Sequence, residues 1–92
     1  METKVIFRKF KDTKSIIAVF PNLDYPKYAT KCNIMSYMFI GQHSECNYDA
    51  VMRMTTRATP KEYEILHHIL EYIGYTVIVT TKKDYEKSLT IV

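Results

Sequence analysis

Five histidine and cysteine side chains are the first candidates for chemistry in this chain, as ligands of a metal ion. They are Cys32, His43, Cys46, His67 and His68. Zinc ligands commonly come in pairs separated by roughly two to four residues, and here only His43 and Cys46 have that spacing. His67 and His68 are neighbours on a predicted helix, so their side chains point about 100° apart. The spacing indicates ordinary thiols and partly exposed histidines, and we expect neither a metal nor a cofactor.

A cysteine nucleophile is the second chemistry that the sequence offers. His43 lies three residues before Cys46 and could serve as a base for its thiol. A reactive thiolate needs a positive environment, however, and the neighbouring Glu45 and Asp49 disfavour it. The carboxylates of the predicted helix either serve its cap or lie on its solvent face, so they predict no acid–base pair. We therefore expect a protein that is not an enzyme.

Basic residues are concentrated in the first half of the chain. Residues 1–46 contain seven Lys and Arg against four Asp and Glu, whereas residues 47–92 contain six of each class, so the formal charge of +3 belongs to the first half. Basic side chains beside aromatic rings can follow a phosphate backbone and stack on bases. The alternative is that the lysines protect an edge strand against aggregation. The candidate macromolecule-binding residues of the first hairpin and the following loop are Arg8, Lys9, Lys11, Lys14, Tyr25, Lys27, Tyr28 and Lys31.

A turn and the chain end provide two further candidate contact surfaces. Gly41 interrupts an apolar run, and Gln42 and His43 follow it on a predicted turn, where a rigid strand could present them to a partner. The alternative is that both side chains satisfy backbone groups of the turn. The final residues, 90–92, suit an edge strand, either in the same chain or donated to a second copy. A homodimer through an edge strand or the C-terminal tail is therefore a further expectation.

A small number of predicted elements must position these residues. The segments TKVIFRKF and SIIAVF predict two strands of an antiparallel hairpin. Pro21 is expected to end the second strand, because proline cannot donate to a ladder. Residues 21–33 are typical of a long surface loop, and residues 34–40, which are apolar on both faces, predict a central strand. Residues 41–58 are ambiguous: we expect an irregular segment, and the alternative is one helical turn around residues 49–52 followed by an extended segment.

The clearest local signal begins at Thr59. Together, Thr59, Pro60 and Glu62 match a capping box with proline at the first helical position. Apolar residues keep helical spacing from there to Ile73, and Gly74 supplies the left-handed residue that helices commonly need just past their end. The segment YTVIVTT then predicts another strand.

This order of elements predicts an α+β fold. We expect a small antiparallel sheet of three to four strands packed by one main amphipathic helix, in two layers and in the order β-β-β-irregular-α-β. Residues 1–83 should form a single domain, followed by a C-terminal tail, residues 84–92, of undefined structure. The N-terminal segment lacks the apolar run of a signal peptide, and no stretch is long enough to span a bilayer. A cytoplasmic protein with no membrane association and with reduced thiols is the expectation, and the alternative, in an oxidising compartment, is a disulfide between Cys32 and Cys46.

Several short segments, taken together, resemble a known group of proteins. They are KVIFRKFKD near the start, SYM and GQH between residues 36 and 43, ATPKEY at residues 58–63, and IGY at residues 73–75. In combination they resemble an uncharacterised family of small accessory proteins from mobile elements and phages of gut anaerobic bacteria. The chain departs from that family in a longer lysine-containing loop before Ile34 and in an added C-terminal tail. The resemblance implies an accessory product of this size, with no catalytic residues to carry over.

The functional expectation combines this resemblance with the absence of a catalytic constellation. We expect a non-enzymatic protein that binds a host macromolecule, either a protein or a protein–nucleic-acid complex. Inhibition of a host defence system is one role that suits such a protein. The alternative is direct nucleic-acid binding through the basic N-terminal hairpin.

Overall fold

The two N-terminal strands form the middle of the sheet. The computed structural model describes residues 2–24, 33–38 and 42–89. In it, β1 (Glu2–Phe10) and β2 (Ile16–Asp24) pair antiparallel, with Ile6 opposite Val19, which confirms the predicted hairpin. The second strand does not end at Pro21, as we expected, but continues to Asp24. A register shift between Phe20 and Asp24 lies at this point, and an irregularity of the ladder is where a strand tolerates proline.

Four more strands complete the sheet within the described residues. They are β3 (Asn33–Met38), β4 (Gln42–Asn47), β5 (Thr55–Arg57) and β6 (Thr76–Thr80). The order is β4-β3-β2-β1-β5, and all neighbours on this path are antiparallel. The last strand, β6, runs parallel to the first half of β1, whereas β5 pairs with its second half. The α+β class is confirmed, and β4 and β5 lie in the segment that we expected to be irregular.

In the described ranges three helices accompany the sheet: α1 (Tyr48–Met54), α2 (Pro60–Tyr72) and α3 (Lys82–Leu89). The predicted capping box is present at the start of α2. The Thr59 hydroxyl accepts from Glu62 N at 3.3 Å, and Thr59 N donates to Glu62 Oε1 at 2.9 Å. After α2 the backbone turns at Gly74, whose φ of 118° lies in the region that side chains rarely adopt, as predicted.

Helices cover both faces of the sheet, so the fold has three layers rather than the expected two. On one face, Leu66 and Leu70 of α2 pack on alternate residues of β1 and β2, including Phe7 and Phe20. On the other face, α1 and α3 cover the intervening residues of both strands. The members of this second core are Ile6, Ile17, Val19, Val51 and Met52, with Phe10, Met38, Tyr48 and Tyr85 at its margin. Strands that are apolar on both sides require this double cover.

The last helix belongs to the packed part of the molecule. The predicted boundary between residues 83 and 84 lies inside α3, and Tyr85 packs at the margin of the second core. The Tyr85 hydroxyl also donates to Pro21 O at 3.3 Å. These contacts hold α3 against β2. Across the ranges that the structure describes, no helix has the length and apolar character to cross a membrane.

Candidate macromolecule-binding surface

Arg8 closes the C-terminal end of α1 rather than facing solvent. Its side chain is 8 % exposed on the face of β1 that α1 covers. The Arg8 Nε donates to Thr55 Oγ1 at 3.0 Å, and Nη2 donates to Met52 O at 3.3 Å and to Thr55 O at 2.9 Å. The Thr55 hydroxyl then donates to Val51 O at 2.6 Å. A guanidinium suits this position, because the last carbonyls of a helix lack partners and carry partial negative charge.

The electrostatic surroundings of Arg8 reflect this burial. Desolvation lowers the pKa of the Arg8 guanidinium, while the nearby Tyr48 and Glu86 act in the opposite direction. A guanidinium stays charged in proteins, so a buried positive charge faces the end of α1. The candidate binding residue Arg8 is therefore largely buried against α1. Its side of β1 faces α1, and its bonds serve the fold.

A cationic cleft opens beside this network, between β5 and the start of α3. Its volume is about 540 Å³, and four cations and two carboxylates line it together with Thr81. The charged lining residues are Arg8, Arg57, Lys82, Lys83, Asp84 and Glu86. Antiparallel pairing of β1 with β5 places Arg57 directly opposite Arg8. The positive charge at this point therefore comes from β1, β5 and α3 together.

The four basic side chains of the cleft differ in their ion pairs and hydrogen bonds. Lys82 Nζ contacts Glu86 Oε1 at 3.2 Å, and Arg8 is bound to α1. Arg57 and Lys83 are exposed, and neither forms an ion pair with the residues that the structure describes. These two side chains are consequently the ones most available to an anionic partner.

A tyrosine and a helix cap stabilise the wall of the cleft. The Tyr48 hydroxyl donates to Glu86 Oε2 at 2.9 Å. This bond, and then the contact with Lys82, lowers the pKa of Glu86, while burial and the same bond raise the pKa of Tyr48. At the start of α3, Asp84 N donates to Thr81 Oγ1 at 3.1 Å, which caps the helix. The carboxylate of Glu86 is thus held ionised beside the cations.

The hairpin lysines have different environments from one another. Lys9 forms an ion pair with Glu62 of the capping box. That contact first, and the backbone bond to Thr59 next, lower the pKa of Glu62 to about 2. Lys11 and Lys14 are exposed at the turn, where Lys14 Nζ donates to Lys11 O at 3.0 Å. The turn therefore presents two lysines to solvent, while Lys9 joins the hairpin to α2.

The other predicted binding residues are only partly covered by the structure. Tyr25, Lys27, Tyr28 and Lys31 lie outside the described residues. Gln42 and His43 begin strand β4, opposite residues 38 and 37 of β3, so their placement on a turn is corrected. Their side chains are not among those described.

The residues weighed for metal or thiol chemistry assemble no site in the described ranges. No group of three or more His, Cys, Asp and Glu side chains with metal-binding geometry occurs there. Cys32 and the side chains of His43 and Cys46 lie outside what the structure describes. On α2, His67 Nε2 contacts a carboxylate oxygen of Glu71 at 3.5 Å.

Three basic residues of the cleft were missed by the charge count along the chain. Arg57, Lys82 and Lys83 come from the half whose formal charge is zero. One local signal does mark two of them: Thr81 and Asp84 have the spacing of a helix cap, which places Lys82 and Lys83 in the first turn of a helix. Nothing in the sequence signals that this turn lies beside Arg57.

Comparison with protein-family models, with curated proteins and with solved structures finds no match for this chain.

Proposed function

We propose that this protein is a non-enzymatic accessory protein of a phage or mobile element that binds a host macromolecule through the cationic cleft. The cleft of about 540 Å³ carries the proposal, because it joins four cations from three elements in one concave surface. Exposed Arg57 and Lys83 would contact acidic groups of the partner. The role as an inhibitor of a host defence system, and the cytoplasmic location, rest on the resemblance and on the small size of the chain.

The mixed charge of the cleft favours a protein partner over a bare nucleic acid. Asp84 and Glu86 contribute two carboxylates to its lining, and Glu86 carries a lowered pKa. A phosphate backbone would be repelled by these carboxylates, whereas a protein surface can offer a basic or hydrogen-bonding group to them. The partner that fits best is therefore a mainly acidic protein surface that also carries basic or hydrogen-bonding groups.

Direct nucleic-acid binding is the second candidate, and it would use the hairpin. Lys11 and Lys14 are exposed at the turn, apart from the carboxylates of the cleft. Titration with a short oligonucleotide at two salt concentrations tests this candidate. Binding that weakens steeply with salt would support it, because each neutralised phosphate contributes about 0.9 to the logarithmic salt slope. No binding at low salt would exclude it.

Two variants of equal charge change separate these candidates. One carries Arg57→Glu with Lys83→Glu in the cleft, and the other carries Lys11→Glu with Lys14→Glu in the hairpin. Tagged protein is used to capture partners from a lysate of a gut anaerobic bacterium, with and without nuclease. We expect the cleft variant to lose a nuclease-resistant protein that the hairpin variant still captures. Retention of that protein by the cleft variant would contradict the proposal.

A further inference from the structure

The outer edge of β6 is a place where another strand can pair. On one side, β6 pairs in parallel with β1, from Glu2 opposite Thr76 to Ile6 opposite Thr80. Within the described ranges no strand pairs with its other side. A strand in this position presents a row of backbone donors and acceptors outward, and such a row is a template for a further strand.

Within its own five residues, β6 carries neither the charged side chains nor the proline by which edge strands often avoid such pairing. All five residues of β6 are β-branched, and none is charged or proline. Ile78 is 40 % exposed and Val79 is 41 % exposed, so apolar side chains accompany the open backbone. The other outer strands differ in sequence, since β4 contains Glu45 and β5 contains Arg57. Charges of this kind protect an edge, and β6 has none within its five residues.

The sequence of β6 identifies the strand that fits it. Residues 76–80 read TVIVT, which is the same in both directions. Antiparallel pairing of two β6 strands about Ile78 therefore places Ile78 opposite its own copy, Val77 opposite Val79, and Thr76 opposite Thr80. Each cross-strand pair then joins side chains of matching shape, which is the unit of sheet stabilisation. A two-fold axis joins each position of the strand to its symmetry mate, so a sequence that is the same in both directions gives like pairs along the whole strand.

We propose that two copies of this chain form a two-fold dimer through antiparallel pairing of their β6 strands. The two sheets, each with six strands among the described residues, then become one continuous sheet. A two-fold axis that relates antiparallel neighbours is perpendicular to the sheet, so the same face of both copies points in the same direction. Because α3 packs on one face of each sheet, the two cationic clefts open on the same side of the dimer. The dimer itself does not depend on the proposed function.

Sedimentation of the wild-type chain across a concentration series measures the assembly. We expect a species of twice the 10.9 kDa chain mass. The Ile78→Lys variant places two like charges directly opposite each other at the axis, so it should sediment as a monomer. Tyr72→Lys is the matched control, because Tyr72 is 92 % exposed and lies on α2, and it should remain a dimer. A monomeric wild-type chain, or a dimeric Ile78→Lys variant, would overturn the proposal.

Disulfide cross-linking tests the same interface without the Ile78→Lys substitution, in the event that this variant does not fold. In a background with Cys32→Ser and Cys46→Ser, Ile78→Cys should form an intermolecular disulfide on mild oxidation, because the two side chains face each other across the axis. Tyr72→Cys in the same background should stay uncross-linked. Equal cross-linking of both variants, or none at position 78, would place the contact elsewhere and refute the β6 interface.

Discussion

Replacing Arg8 with methionine removes the guanidinium from the end of α1 while keeping an unbranched side chain of similar length. The side chain donates three hydrogen bonds, to the hydroxyl and carbonyl of Thr55 and to the carbonyl of Met52. Without them, two carbonyls and a hydroxyl at the junction of α1 and β5 lose a charged donor. The expected result is a folded but clearly less stable protein.

The size of the loss follows from the three bonds. A hydrogen bond from a charged group contributes roughly 1.5–3 kcal/mol, so three at the lower end contribute about 4.5 kcal/mol. Removing a buried charge also removes its desolvation cost, which offsets part of this loss. We expect the free energy of unfolding to fall by about 3 kcal/mol. In a domain of this size, that corresponds to a drop of roughly 12–24 °C in melting temperature.

Denaturant unfolding followed by circular dichroism measures this loss, and Arg57→Met is the matched control. Arg57 lies opposite Arg8 in the strand pair but is exposed. Its replacement should therefore change the free energy of unfolding by no more than about 0.5 kcal/mol. A loss of less than about 1 kcal/mol in Arg8→Met, or equal losses in both variants, would refute the structural role of Arg8.

Three further outcomes test the packing and the electrostatics. Leu66→Ala should lower the free energy of unfolding by roughly 2–5 kcal/mol, because Leu66 is 0 % exposed, whereas the adjacent Ile65→Ala, at 64 % exposed, should change it by less than about 0.5 kcal/mol. The pKa of Glu62 is lowered to about 2 in the folded protein from an ordinary value of 4.5, so its contribution to stability is present above pH 4.5 and is lost as pH falls toward 2. Glu62→Gln should therefore flatten the acid limb of a series of thermal melts; an unchanged limb would contradict this assignment. Gly74→Ala should lower the free energy of unfolding by about 1 kcal/mol through backbone strain alone, because nothing lies within 4 Å of the added methyl group; an unchanged melting temperature would contradict it.

Local signals predicted those parts of the fold that short-range chemistry determines. The capping box at Thr59 and the left-handed glycine at Gly74 fix the ends of α2, and both depend on residues within a few positions. The hairpin of β1 and β2 likewise follows from two apolar segments joined by a short polar turn.

The rest of the fold depends on contacts between distant residues. Residues 42–57 carry only a weak local pattern, which does not define the bounds of β4, α1 and β5. The two strands among them, β4 and β5, are stabilised by pairing with β3 and β1. The short α1 derives part of its stability from Arg8, which is more than forty positions away in the chain. The parallel pairing of β6 with β1 has no local signal at all.

The candidate site also depends on contacts between residues that are distant in the chain. Counting charges along the chain placed the basic surface in the first half, but the cleft draws Arg57, Lys82 and Lys83 from the second. Arg8 was identified from sequence as a binding residue, and its burial against α1 could not be deduced before the position of α1 was known. Both surfaces contain basic residues, but those of the cleft come from three elements that only the folded chain brings together.

Site-specific photo-cross-linking tests most directly whether the cleft is the binding surface. A photoreactive amino acid replaces Lys83 in one variant and Lys14 in the other, and each is irradiated in a lysate of a gut anaerobic bacterium. We predict a nuclease-resistant protein adduct from position 83 that is absent from position 14. An adduct from position 14 alone, or one from position 83 that nuclease abolishes, would contradict the account.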